Sequence, residues 1–328
     1  MNVSIIGLKK LIKTQLLLLV GVSLVFSACS VTNSAKTDYA KSRKLLLRDE
    51  GLSKLSFIDL ANPSKDWFVT VPLGRDLQLV GNGRVLIGTS NGYEERDIAT
   101  GNKVFELTKF EGTQTARRLR NGNTLLAGAN WQQKQGIVLV EVNSNGDVQK
   151  TRVFPGFTYV RCIRETAKGT LLVTADDLVF ESNANNEIIW RAKVAGPPAK
   201  PHVWQAVRLG NGQTIASTGY AKNFQVYDTE GNQVQTITGP NEVNPNFFAG
   251  FQVLKNGNFV VTNWQGHGPS FGASGSQVLE YDPSGKLVWS WKQDAARFSS
   301  LQGIIVLDGL NINKLHVEDV NGALVPVN

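Results

Sequence analysis

The sequence predicts an all-β chain, a six-bladed β-propeller of four-stranded blades in which the N- and C-terminal strands share one composite blade. Three observations lead there. A unit of about 40 to 50 residues recurs along the chain, two kinds of tight turn mark the copies, and no segment spaces its apolar residues with a helical period. Each unit reads as apolar strand, Gly/Asn turn, second apolar strand, variable loop, third strand, turn and fourth strand.

The first turn recurs as Gly81-Asn82-Gly83, Asn121-Gly122-Asn123, Ala167-Lys168-Gly169, Asn211-Gly212, Asn256-Gly257-Asn258 and Asp308-Gly309. Asn and Gly tolerate positive φ, which a tight hairpin requires. The second turn recurs as Asp97 to Gly101, Asn143 to Gly146, Asn183 to Asn186, Asp228 to Gly231 and Asp282 to Gly285, with Phe105, Trp190 and Trp289 four residues beyond it in three copies. The two ends complete each other. Leu45–Arg48, Lys54–Leu60 and Asp66–Val71 read as strands two, three and four of a blade, with Asn62-Pro63 as its second turn and Trp67 in the aromatic slot. Leu301–Leu307 reads as the missing first strand, and joining the termini removes sheet edges that would otherwise invite aggregation. Asn311–Asn328 is left as a tail, too short for a seventh blade.

Composition agrees with a packed domain. Of 328 residues, 41% are hydrophobic, which excludes wholesale disorder, and no stretch beyond the N-terminus is long and apolar enough to span a bilayer as a helix. The formal charge is +7, from 34 Lys+Arg against 27 Asp+Glu. Lys9, Lys10 and Lys13 account for three of those charges and precede an apolar run from Leu16 to Phe26, followed by Ser27-Ala28-Cys29. A basic start, a short apolar run and small residues form a secretory signal. Residues 30–50 hold another +2, leaving 26 bases against 24 acids on residues 51–328, so the basic excess belongs mostly to export and a membrane-proximal tether. It does not point to nucleic acid.

Phe26-Ser27-Ala28-Cys29 resembles the lipobox of bacterial lipoproteins, with Phe26 where Leu is commoner. That resemblance implies lipidation of Cys29 and a place in the cell envelope, at the outer membrane facing the periplasm, because Ser30 is not an inner-membrane retention residue. The alternative is ordinary signal cleavage with Cys29 incidental. Residues 1–28 are then the signal, 29–43 a polar tether and 44–328 a single propeller domain with its tail at 311–328. Cys162 remains as the other cysteine, so no internal disulfide is expected, and its strand-like surroundings predict a buried, inert thiol.

The blades, with the Tyr-Asp-x-x-Gly-x-x-Val-Trp pattern from Tyr281 to Trp289, resemble the repeats of pyrroloquinoline-quinone-like and arylsulfotransferase-like propellers across roughly residues 44 to 310. The matching residues are scaffold residues, so the resemblance implies fold and not activity. No cofactor is expected. Pyrroloquinoline quinone itself serves longer, eight-bladed enzymes.

Candidate site residues lie where a propeller usually binds, at the channel mouth. Aligning the first strands on their turns gives the column Arg75, Thr115, Arg161, Gln205, Gly250 and Gln302, polar in five of its six members. Arg75 and Arg161 suit carboxylate or phosphate oxygens, although a hydrated mouth needs no ligand to explain polar residues. Asn130-Trp131-Gln132 and Asn263-Trp264-Gln265 repeat one tripeptide after the second strands of blades 2 and 5. A Trp face beside amides suits sugars or planar aromatics, and the alternative is that both Trp residues fill wedges between blades. His202 and Trp204 open the first strand of blade 4, and His267 sits in the Gly/Ser-rich loop 265–276. The arylsulfotransferase resemblance implies His202 as nucleophile or base. Gly268-Pro269-Ser270-Phe271-Gly272 matches the nucleophile-elbow spacing without the strand-to-helix context that motif needs. No metal-ligand cluster is evident.

The reading that follows is a membrane-anchored exported propeller that binds a small polar or aromatic ligand, carbohydrate among them, or a protein partner at its mouth without catalysis. The alternatives are a sulfotransferase-like or hydrolase-like enzyme acting through His202, and a scaffold in an envelope complex.

Overall fold

A computed structural model describes residues 41–196 and 202–327; Cys29, the signal and most of the tether lie outside the described residues. Six four-stranded antiparallel sheets form the six blades of the propeller. Blades 1 to 5 occupy residues 77–107, 115–154, 160–193, 205–238 and 247–291, each running from its innermost to its outermost strand in chain order. Blade 6 is the composite: Leu301–Val306 is its innermost strand and pairs with Lys44–Asp49, which is followed outward by Lys54–Asp59 and Trp67–Thr70.

Period-2 alternation explains the packing. Of the apolar clusters of buried side chains, six sit one at each junction between neighbouring blades, and a seventh, with Trp204, Phe247 and Trp264, lies at one channel end. Leu45 and Leu47 point into the cluster shared with blade 5, while Leu46 points into the cluster shared with blade 1. Both faces of such a strand are covered, so it reads as an unbroken apolar run.

The turns carry their own chemistry. Asp282 Oδ1 accepts the backbone N–H groups of Ser284 and Lys286, and Asn143, Asn183 and Asp228 each accept two N–H groups in the same way. The Ser284 hydroxyl, followed by the Lys286 N–H, holds the Asp282 carboxyl below its ordinary value. Gly101 closes the equivalent turn of blade 1 at φ +75°, and a Cβ there would lie 2.8 Å from the Trp67 ring. That ring bridges two blades, donating its Nε1–H to the Ile98 carbonyl at 3.0 Å.

The innermost strands of adjacent blades are joined by side-chain amides. Gln78, Gln205 and Gln252 each donate Nε2–H to a backbone carbonyl and accept the backbone N–H of the same residue, Arg118, Phe251 and Val306 respectively, on the next blade's innermost strand.

The tail folds into a hairpin, His316–Glu318 paired with Leu324–Pro326. Its turn repeats the blade motif, since Asp319 Oδ1 accepts from Asn321 N and Ala323 N. Bridges from Leu315 to Val80 and from Ala323 to Val253 seat it across the channel end where the innermost strands finish. Here Arg117 Nη2 donates to both Glu318 oxygens at 2.7 and 2.9 Å, while Arg164 grips Asp76 in bidentate fashion at 2.7 and 3.0 Å. Arg164 also approaches Glu318 at 2.9 Å, and all four side chains are at most 9% exposed. Burial opposes charge on Arg164, but Asp76 and Glu318 overcome that and hold its pKa above the ordinary arginine value.

Candidate functional site

With one channel end plugged, the other opens into a cavity of about 370 Å³ at the starts of the innermost strands. The chain segments entering blades 1, 2, 3 and 4 deliver Arg75, Gln114, Tyr159 and Trp204 to it, and the strand starts of blades 5 and 6 deliver Phe247 and Gln302. Trp264, at the end of a second strand, and Tyr220 in a loop complete an aromatic wall. Phe247 stands edge-on to Tyr220 at 4.7 Å, to Trp264 at 5.3 Å and to Trp204 at 5.5 Å.

Two guanidinium groups lie against these rings. Arg161 stands 4.4 Å from the Tyr159 centroid and 5.0 Å from that of Trp204; Arg75 stands at 5.0 and 5.5 Å from the same two. Arg75 also donates to the Tyr159 hydroxyl. Burial, then the neighbouring Arg75 charge, lowers the Arg161 pKa to about 10, which leaves it protonated at neutral pH. Arg161 Nη2 lies 2.7 Å from His202 Nδ1, and His202 holds left-handed backbone at φ +56° just before the blade 4 strand. A guanidinium accepts nothing, so Nδ1 is the acceptor and the neutral ring carries its proton on Nε2. At the rim, Glu50 accepts from Trp264 Nε1 at 3.1 Å and lies 2.8 Å from the exposed ring of His267.

Of the residues singled out by sequence, Arg75, Arg161, Trp204, Trp264, His267 and Gln302 come together at this cavity, with His202 beside it through Arg161. The column does not stay together. Gln205 is the blade 4 to blade 5 amide clasp, Thr115 is buried, and Gly250 sits where a Cβ would lie 2.8 Å from the Gln302 carbonyl. The two identical tripeptides also part. Trp264 borders the mouth, whereas Trp131 fills the wedge between blades 1 and 2, edge-on to Phe110 and donating to the Glu111 carbonyl. Gln265 is buried away from the cavity, donating to the Asn244 carbonyl at 3.0 Å. The side chain of Gln132 lies outside the described residues.

Sequence reasoning did not select Tyr159, Phe247, Tyr220, Gln114, Leu73 or Glu50. The innermost strands of blades 3 and 5 break register between Val160 and Ile163 and between Phe248 and Phe251. A bulge of this kind re-aims the preceding residues, so simple alternation misassigns them. The Cys162 thiol is buried, and burial pushes its pKa up to about 12. Among the described residues no group of three or more His, Cys, Asp or Glu is placed to hold a metal, and no helix is long and apolar enough to cross a membrane.

No protein-family model matches the chain, and no curated protein does. Solved structures do. A Bacteroides caccae protein of unknown function shares 24% identity at a TM-score of 0.65, over 81% of this chain and 98% of its own. Regucalcin, a calcium-binding protein from Agrobacterium tumefaciens, shares 16% at 0.54 over 79% and 89%. Virginiamycin B lyase from Staphylococcus aureus shares 12% at 0.51 over 87% and 89%. At these identities the likeness extends to the propeller fold and no further.

Proposed function

We propose that the chain is an exported, lipid-anchored propeller that binds a small ligand at its channel mouth. One observation carries the binding reading: two arginines and five aromatic rings from four blades converge on one open cavity, and neither arginine has a carboxylate at ion-pair distance among the described residues. The His202 contact favours binding over catalysis, because Nδ1 is engaged by Arg161 and Nε2 carries the proton, so neither nitrogen is placed to act as a base.

Screening saccharides, nucleosides and aromatic acids by tryptophan fluorescence tests the reading. A ligand of the mouth binds at least about tenfold more weakly to Trp264→Leu and to Tyr220→Ala. Trp131→Leu, in the wedge between blades 1 and 2, leaves affinity unchanged. Equal loss in Trp131→Leu, or no loss in the other two, refutes the mouth as the site.

The lipid anchor rests on the lipobox resemblance. Lys44 starts its strand at the plugged end, with its N–H on Asp308 at 2.9 Å, so the described chain enters the propeller opposite the mouth. Cys29→Ser should yield an unprocessed or soluble product, measured by membrane fractionation. Unchanged membrane attachment would overturn the anchor.

A further inference from the structure

The charges of the channel divide by depth. In the plugged half, Arg117 and Arg164 share Asp76 and Glu318, two cations against two anions. In the open half, Arg48, Arg75 and Arg161 have no carboxylate at ion-pair distance among the described residues. Arg48 donates only to the carbonyls of Gly88 and Pro72, at 2.9 and 2.7 Å. Asp76 follows Arg75 in the chain, yet its carboxylate turns to Arg164. Glu50 is the carboxylate nearest the opening, and it is engaged by Trp264 and His267.

Resting on the mouth-binding reading above, we propose that the mouth selects an oxyanion, a carboxylate or a phosphate monoester, carried on a flat apolar ring, in preference to a neutral sugar. Arg75 and Arg161, brought together at the mouth, repel each other, and no carboxylate of the described residues lies at ion-pair distance from either, whereas Glu94 and Asp76 partly offset the charge of Arg48 behind them. Burial, followed by the Arg75 charge, lowers the pKa of Arg48 as well as that of Arg161 to about 10. A bound oxyanion relieves that repulsion and accepts from the guanidinium groups of Arg75 and Arg161 that line the cavity. A neutral sugar accepts hydrogen bonds but leaves the charge uncompensated. The ring follows from the walls, where Phe247, Trp264 and Tyr220 meet edge to face around a space of about 370 Å³.

The inference has a signature that a scaffold role for Arg161 lacks. Removing a desolvated, unpaired cation should stabilise the protein while abolishing ligand preference. Naphthoate, naphthyl phosphate and the uncharged naphthamide serve as probes, followed by quenching of tryptophan fluorescence. At least one anion should bind about tenfold or more tightly than the amide, and added salt should weaken the anion alone. The tighter of the two anions identifies the headgroup. Arg161→Gln should abolish the preference and leave the melting temperature equal or higher; Arg161→Lys, which keeps the charge and loses the fork, should retain part of it. Amide binding within about threefold of both anions overturns the proposal, as does a preference that survives in Arg161→Gln with a lowered melting temperature. If only the anion inference fails, a neutral compound from the screen still binds in a Trp264-dependent way. If the mouth reading fails, Trp264→Leu changes no binding at all.

Discussion

Glu318→Ala lowers the free energy of unfolding by about 3–5 kcal/mol, the range for stripping one partner from a buried ion network. The variant leaves two buried guanidinium groups facing the single carboxylate of Asp76. Arg117 loses both of its short hydrogen bonds, and Arg164 loses its second carboxylate neighbour. The hairpin that carries Glu318 loses its main tie to blades 2 and 3, keeping the Arg120 contact to its backbone carbonyl at 2.5 Å. Urea titration should show the midpoint falling with an unchanged slope. Glu318→Gln, which keeps an acceptor and loses the charge, should fall between. A loss under about 1 kcal/mol would mean that water screens the network and that the plug is not anchored by charge.

Phe224→Ala is expected to cost about 3–5 kcal/mol, the range for a buried phenylalanine whose site cannot collapse. Phe224 is fully buried at the junction of blades 4 and 5, with ring centroids of Phe251 at 5.1 Å, Phe248 at 5.4 Å, Phe259 at 6.0 Å and Tyr281 at 6.1 Å. Four rings held by rigid strands cannot move in to fill the space, so a cavity remains. Phe224→Leu should lose less, since most of the volume is kept. Val104→Ala, half exposed on the outermost strand of blade 1, should stay within about 0.5 kcal/mol of wild type. If Phe224→Ala and Val104→Ala lose the same amount, the junction is plastic and its packing is not what closes the ring.

The scaffold was more legible than the site because its signals are local. An Asn or Asp that accepts two backbone N–H groups a few residues on, followed by a glycine or asparagine at positive φ, is one contiguous stretch of chain, and it recurs in blades 2 to 5. Even the composite blade was readable, because the missing first strand and the unpaired second, third and fourth strands are complementary fragments of one pattern. The tail is the exception. Its hairpin reuses the blade turn at Asp319 to Gly322, but its seat depends on Glu318 meeting Arg117 and Arg164, residues some 200 and 150 positions earlier. Nothing near Glu318 in sequence announces that meeting.

The identical tripeptides mark the boundary most clearly. Asn130-Trp131-Gln132 and Asn263-Trp264-Gln265 have the same local chemistry, yet Trp131 is an inter-blade wedge and Trp264 borders the cavity. By itself the sequence determined the fold, the blade count and the pairing of the two termini, all of which follow from turns and alternation within short stretches. Only the tertiary structure decided which side chains meet at the mouth, which amides clasp blades, and which arginines are left without a counter-charge. A six-fold ring brings together residues 40 or more positions apart, and a one-residue bulge in an innermost strand is enough to change which of them face the channel.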